Sequence, residues 1–137
     1  MCQVDYDGPS FSTIRTVRAR KEYKCFECGL PIVVGESHEY VSGKWDGYFD
    51  AFRTCSRCVA ARRWLEVVCH GWLYGGVDVD IREHAEEMYG GWPLGIVANA
   101  MRNRWKRHDG RLFMVAEIRK LVNLSIKITK AEEKAVA

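Results

Sequence analysis

Two short runs, CFECG at residues 25–29 and CSRC at 55–58, place four cysteines in two pairs of identical spacing, with 26 residues between the pairs. A C-x2-C pair offers a metal two thiolates from one tight turn, and two such pairs complete the tetrahedral set that zinc prefers. Cys25, Cys28, Cys55 and Cys58 are therefore the expected ligands of one Zn2+. Four thiolates leave no position for water or substrate, so the expected role of the ion is structural. Gly29 fits a knuckle in which a residue takes positive φ and backbone N–H groups point at sulfur. A redox C-x2-C would need one pair at a strand-to-helix turn of a βαβ unit, not two pairs bracketing another segment.

Other reactive groups are sparse. His38, His84 and His108-Asp109 are the candidates for acid–base or metal chemistry, and no nucleophile stands beside them in a recognisable motif. Cys69 and His70 are adjacent, and neighbours on a helix do not face each other. Cys69 is expected to be a small core residue, and Cys2 would approach the metal centre only if the N-terminal strand packs there. The chain is expected not to be an enzyme.

The elements that must position the four thiols can be read around them. TIRTVRARKEYK alternates enough to form a strand leading into the first pair. ESHEYVSGKWDGYFDAFRT carries two β-branched and aromatic runs flanking a Gly/Asp-Gly turn at 43–47, a β-hairpin signature. In CSRCVAARRWLEVVCHGW, Cys58, Ala61, Leu65, Val68, Cys69 and Trp72 recur at helical spacing, so the second pair opens a helix. Knuckle, hairpin and helix in this order resemble the treble-clef zinc finger over about residues 13–72. The resemblance gives the same four cysteines as ligands. The run ARKEYKCFECGLPIVVGESHEYVSGKWDGYFDAFRTCSRC is, more narrowly, similar to small uncharacterised accessory proteins of phages and prophages. Some treble-clef folds resemble HNH-type nucleases, but the helix here continues VAARRWLEVV and offers no histidine, so His38 alone does not rebuild that site.

Three glycines in GWLYGGVDVD mark the boundary between a finger unit, residues 1–75, and a helical segment, residues 76–137, packed on it. Asp80 with Glu83 matches an N-cap for a helix over residues 81–89. Pro93 opens a second helix with the stripe Leu94, Val97, Ala98, Met101 and Trp105, and a third begins near Leu112. SIKIT reads as strand or helix, and KAEEKAVA reads as a solvated, frayed end. The fold class expected is α+β, in one compact unit.

At 137 residues, with 47% hydrophobic and 28% charged residues, the chain can bury its own core. MCQVDYDGPS lacks a basic start and an apolar run, and no stretch is apolar enough to span a bilayer. Residence in the cytoplasm, the host cell's if the chain is phage-encoded, is expected, with no membrane partner and with six cysteines serving as thiols rather than a disulfide framework. The formal charge is +3, but four thiolates against a 2+ ion leave the centre at −2 and the chain at about +1. Nucleic-acid binding must then rest on local patches.

One patch surrounds Arg102, Arg104, Lys106, Arg107 and Arg111, interleaved with Trp105 and His108; the same cations would also favour a helix C-terminus. A second, with Arg15, Arg18, Arg20, Lys21 and Lys24, precedes the knuckle and would also offset the thiolates. Residues 78–87 hold five acids and one arginine, a bipolarity that suits protein partners. Trp45, Tyr48 and Phe49 at the hairpin tip add hot-spot material. The partner-binding candidates are thus Arg18, Arg20, Trp45, Tyr48, Arg102, Arg104, Lys106 and Arg107. The phage resemblance implies a non-enzymatic protein that binds and inhibits a host protein or nucleoprotein, an anti-CRISPR protein being one example. The alternatives are a DNA- or RNA-binding accessory protein and, behind it, an HNH-like nuclease.

Overall fold

The computed structural model describes Cys2 and residues 8–136. Most of the opening MCQVDYDGPS and the terminal Ala137 of KAEEKAVA lie outside the described residues. β1 (Phe11–Arg18) is a run of β-branched and polar residues that pairs antiparallel with β4 (Ser37–Trp45), from Phe11 opposite Lys44 to Arg18 opposite Ser37. β4 turns directly into β5 (Tyr48–Cys55) through Asp46-Gly47, whose φ values of 49° and 84° are those of a tight hairpin turn matched to strand twist. The sheet order is β1-β4-β5. Between β1 and β4, the two-residue strands β2 (Tyr23–Lys24) and β3 (Pro31–Ile32) pair across the knuckle.

Helix α1 (Ser56–Val68) follows β5 without a loop. It buries Cys58, Ala61, Trp64 and Leu65 on one face. Trp72 is not on this helix: α1 ends at Val68, and His70 at φ 59° turns the chain into the glycine-rich connection. Then come α2 (Val77–Glu86), α3 (Gly91–Arg102) and α4 (Val115–Val136). α4 packs on both α1 and α3, and Trp64, Leu65, Ile81, Leu94, Val97, Ile118 and Val122 close a core shared with Cys25, Cys55 and Cys58. Among the described residues the result is an α+β molecule with a small antiparallel sheet, four helices and a four-cysteine cluster at the edge of the core.

Expected helix ends are corrected, and the open reading of SIKIT is resolved. α2 begins at Val77, so Asp80 lies inside its first turn and does not cap it. The cap comes from far away in sequence: the Glu27 carboxylate accepts from Gly75 N–H at 2.8 Å and Val77 N–H at 3.3 Å. A local capping rule cannot see such a partner. The helix also stops at Glu86, because Met88 turns left-handed at φ 64° before Tyr89. α4 begins at Val115 rather than near Leu112, with the Glu117 carboxylate taking Met114 N–H at 3.1 Å. SIKIT lies inside α4, where Ser125, Ile126 and Thr129 are buried and the Ser125 hydroxyl donates to Gly90 C=O at 2.8 Å. Residues 130–136 continue the helix with exposed side chains instead of fraying.

Cys2 and Cys69 also depart from expectation. Their sulfurs are joined as a disulfide, with Cα atoms 5.3 Å apart, so Cys2 does not approach the four-cysteine centre. Cys69 is the C-cap residue of α1, partly buried against the core as its spacing implied, but bonded to Cys2 rather than a free thiol.

Candidate metal centre and sheet face

Cys25 and Cys28 sit in the knuckle between β2 and β3. Cys25 N–H donates to Leu30 C=O at 2.9 Å and Gly29 N–H to Cys25 C=O at 3.0 Å. Gly29 takes φ 77°, which the sequence asked of it. Phe26 N–H reaches Arg53 C=O at 2.8 Å and fixes the knuckle to the hairpin. Cys55 ends β5 and is the extended N-cap residue of α1, and Cys58 lies in the first turn, so the strand-to-helix junction aims both at the knuckle.

The four Sγ atoms lie within 4.8 Å of one another, and Cys25, Cys55 and Cys58 are buried. Tetrahedral zinc at about 2.3 Å from each sulfur requires S···S edges of about 3.8 Å. Cys28 and Cys55 stand 3.8 Å apart. Without a cation, sulfurs this close compete for protons: donation from Cys28, then Cys55 and Cys58, drives Cys25 well below the ordinary thiol range, while Cys25 drives Cys55 and Cys58 well above it. One divalent ion would remove that conflict, with Cys25, Cys28, Cys55 and Cys58 holding it as thiolates. The residues present fit zinc in number, spacing and donor chemistry.

Donors around the sulfurs complete the fit. Leu30 N–H points at Cys28 Sγ (3.4 Å) and Cys55 N–H at Cys25 Sγ (3.3 Å). The indole N–H of Trp105, fully buried, points at Cys58 Sγ (3.4 Å). Arg104 and Trp105 both adopt positive φ, 52° and 63°, and this left-handed step carries the indole from the end of α3 to the centre. Trp105 therefore serves the centre as well as the apolar stripe, a role that its spacing did not announce. Replacing Trp105 by Phe keeps most of the buried ring and deletes the N–H···S contact, so zinc retention against a competing chelator should weaken about 10–100-fold with the fold kept. Unchanged retention would show that the indole serves packing alone.

Comparison of the chain with family models, with characterised proteins and with solved structures gave no match in any of the three. The site must be read from its own geometry.

The two faces of the sheet differ. One carries Val41, Trp45 and Phe52, with Glu39, towards the rest of the molecule. There Phe52 stacks on Tyr74 at 5.0 Å and 9°, and Trp45 meets both rings edge-on. Glu39 receives two hydrogen bonds from Arg62, at 2.8 and 2.6 Å. Arg62 also contacts Glu66 and lies over Trp72, although its side chain is only 4% exposed. The other face carries Arg15, Lys44 and Arg53 as its cations and no acid. The Arg53 guanidinium lies 3.7 Å from the Tyr23 ring centre and 4.4 Å from that of Tyr40, and the Arg15 guanidinium lies 5.6 Å from the Tyr40 ring centre. A cleft of about 610 Å³ opens here, lined by Arg15, Val17, Arg18, Ala19, Arg20, Tyr23, Tyr40 and Arg53.

Sequence-predicted partner residues fall in different places. Arg18 and Arg20 line the cleft, and Tyr48, 78% exposed, stands at the hairpin tip. Trp45 is half-buried against Phe52 and Tyr74. The basic run after α3 is dispersed. Arg107 is paired with Glu117 and lies over Phe113, and Arg111 holds the carboxyl of Asp109 below the usual carboxylate range through hydrogen bonds. Arg104 approaches the knuckle beside Lys24. Arg102 and Lys106 are exposed. Arg53, Tyr23 and Tyr40 were missed because their grouping comes from cross-strand register and the knuckle, not from sequence proximity.

Proposed function

We propose that this chain is a zinc-stabilised, non-enzymatic binding protein: the four-cysteine centre, of treble-clef type, supports a sheet whose open face recognises an anionic partner surface. The acid-free cleft of stacked arginine and tyrosine side chains carries this reading. A nuclease reading loses support because both ring nitrogens of His38 are engaged, Nδ1 donating to Glu36 C=O at 3.2 Å and Nε2 accepting from Arg53 at 2.7 Å. The resemblance to phage accessory proteins favours a host protein or nucleoprotein as partner, with inhibition, anti-CRISPR-like in one form, as the outcome.

A second reading, binding of single-stranded DNA or RNA, is favoured by the alternation of cations and rings on the same face rather than by the run at 102–111. One experiment serves both. Affinity capture from host lysate, with and without nuclease, is run for the wild type and for the double variant Arg15→Glu, Arg20→Glu. A stoichiometric partner held by the wild type and lost by the variant at unchanged melting temperature is the expected result. Retention despite nuclease selects the protein partner, and loss on nuclease treatment selects nucleic acid. Equal capture by both forms, or none, would remove the open face from consideration.

A further inference from the structure

A second convergence of soft donors lies outside the finger. Cys69 at the end of α1, His84 on α2 and Cys2 from the N-terminal segment bring their sulfurs and the imidazole Nε2 within 4.8 Å of one another. His84 is 4% exposed. Its Nδ1 is committed to Asp80, 2.7 Å from the backbone carbonyl and 3.1 Å from the carboxylate. That bond fixes the tautomer with the proton on Nδ1 and leaves the Nε2 lone pair directed at Cys69 Sγ, 3.7 Å away. Trp64 and Tyr89 wall the ring, with centroids 5.0 and 6.4 Å away. A cystine has no use for an imidazole lone pair held against it by a carboxylate. A metal bound by histidine does, and the carboxylate–histidine arrangement is its usual support.

We infer that Cys2, Cys69 and His84, in the reduced protein, form a second zinc site distinct from the four-cysteine centre. Two thiolates and a neutral imidazole match the zinc donor set and cancel the charge of the ion, and the fourth tetrahedral position is left to water. A cleft of about 480 Å³ lined by Asp80, Glu83, His84 and Glu87 adjoins the histidine. The disulfide is the alternative, oxidised state of the same pair. A phosphine converts one to the other: the S–S bond takes two electrons, water supplies two protons to the thiols and its oxygen to the phosphine, and zinc then displaces those two protons.

The test counts metal per chain after purification and dialysis under a phosphine reductant, with thiols counted on the denatured protein. The wild type should hold two zinc ions, and Cys2→Ser, Cys69→Ser and His84→Ala should each hold one, the finger's ion serving as the internal standard. Asp80→Asn should keep both ions but weaken the second about 10–100-fold in chelator competition, because Asp80 only positions His84. Cobalt in place of zinc should lose thiolate charge-transfer intensity in Cys2→Ser, whose side chain is partly buried and outside the core cluster. One zinc in a wild-type chain with six counted thiols overturns the inference. So does a Cys2–Cys69 bond that resists the phosphine, or a second equivalent that survives all three ligand substitutions.

Discussion

Cys55→Ser is expected to abolish metal binding by the four-cysteine cluster and to unfold the protein at ordinary temperature. Structural zinc sites contribute roughly 10–16 kcal/mol of apparent binding free energy, which rivals the roughly 5–15 kcal/mol total stability of a typical domain. Cys55 is also more than a ligand. It closes β5, opens α1 and donates its N–H to Cys25 Sγ, so its sulfur joins strand, helix and knuckle at one point. Chelation under reducing conditions should act in the same direction on the wild type. Elemental analysis together with near-ultraviolet circular dichroism checks both, since fully buried Trp64 and Trp105 report on the core. A metal-free chain with native tryptophan signals and an unchanged melting temperature would refute the structural role of the centre.

Arg62→Ala should cost about 3–5 kcal/mol, the range for breaking one side of a buried ion pair. The side chains of Arg62 and Glu39 are 4% and 12% exposed, and the two hydrogen bonds between them join α1 to the middle strand of the sheet. Truncation leaves the Glu39 carboxylate without its cation in a half-dry site and also removes the guanidinium from Trp72. For a domain of this size the melting temperature should fall by about 10–20 °C. Arg62→Met combined with Glu39→Gln separates charge from packing. It should recover a large part of the loss, because an uncharged pair carries no unpaired ion. A single variant that melts within a degree or two of the wild type would show that the pair contributes nothing.

Much of the four-cysteine centre, its hairpin and α3 was legible in the sequence because their signals are local. Cys25, Cys28, Cys55 and Cys58 declare themselves by spacing, Asp46-Gly47 by turn chemistry, and Leu94, Val97, Ala98 and Met101 by period. What escaped was long-range satisfaction of polar groups. Glu27 lies between two ligands, where a charged residue reads as solvated, yet it caps a helix some 50 positions away. His84 reads as one turn of a surface helix and is buried, and Arg62 belongs to an apolar stripe without being apolar. The arginine–tyrosine cleft escaped for a similar reason: cross-strand register unites Arg15, Tyr40 and Arg53. SIKIT reads both ways in the sequence, and the structure takes the helical reading. Its two-residue alternation is real, but a 22-residue helix in which Ser125 and Thr129 both find acceptors overrides it.

The clasp between Glu27 and the start of α2 ties the knuckle to that helix. Two ligand cysteines flank the carboxylate, so any loss of metal that loosens the knuckle also withdraws the acceptor from Gly75 and Val77 N–H and frees the first turn of α2. That turn leads, one residue past Val79, to Asp80 and so to the tether of His84. A metal held by Cys25 and Cys28 would thereby steady, through the Glu27 side chain, the turn that carries Asp80.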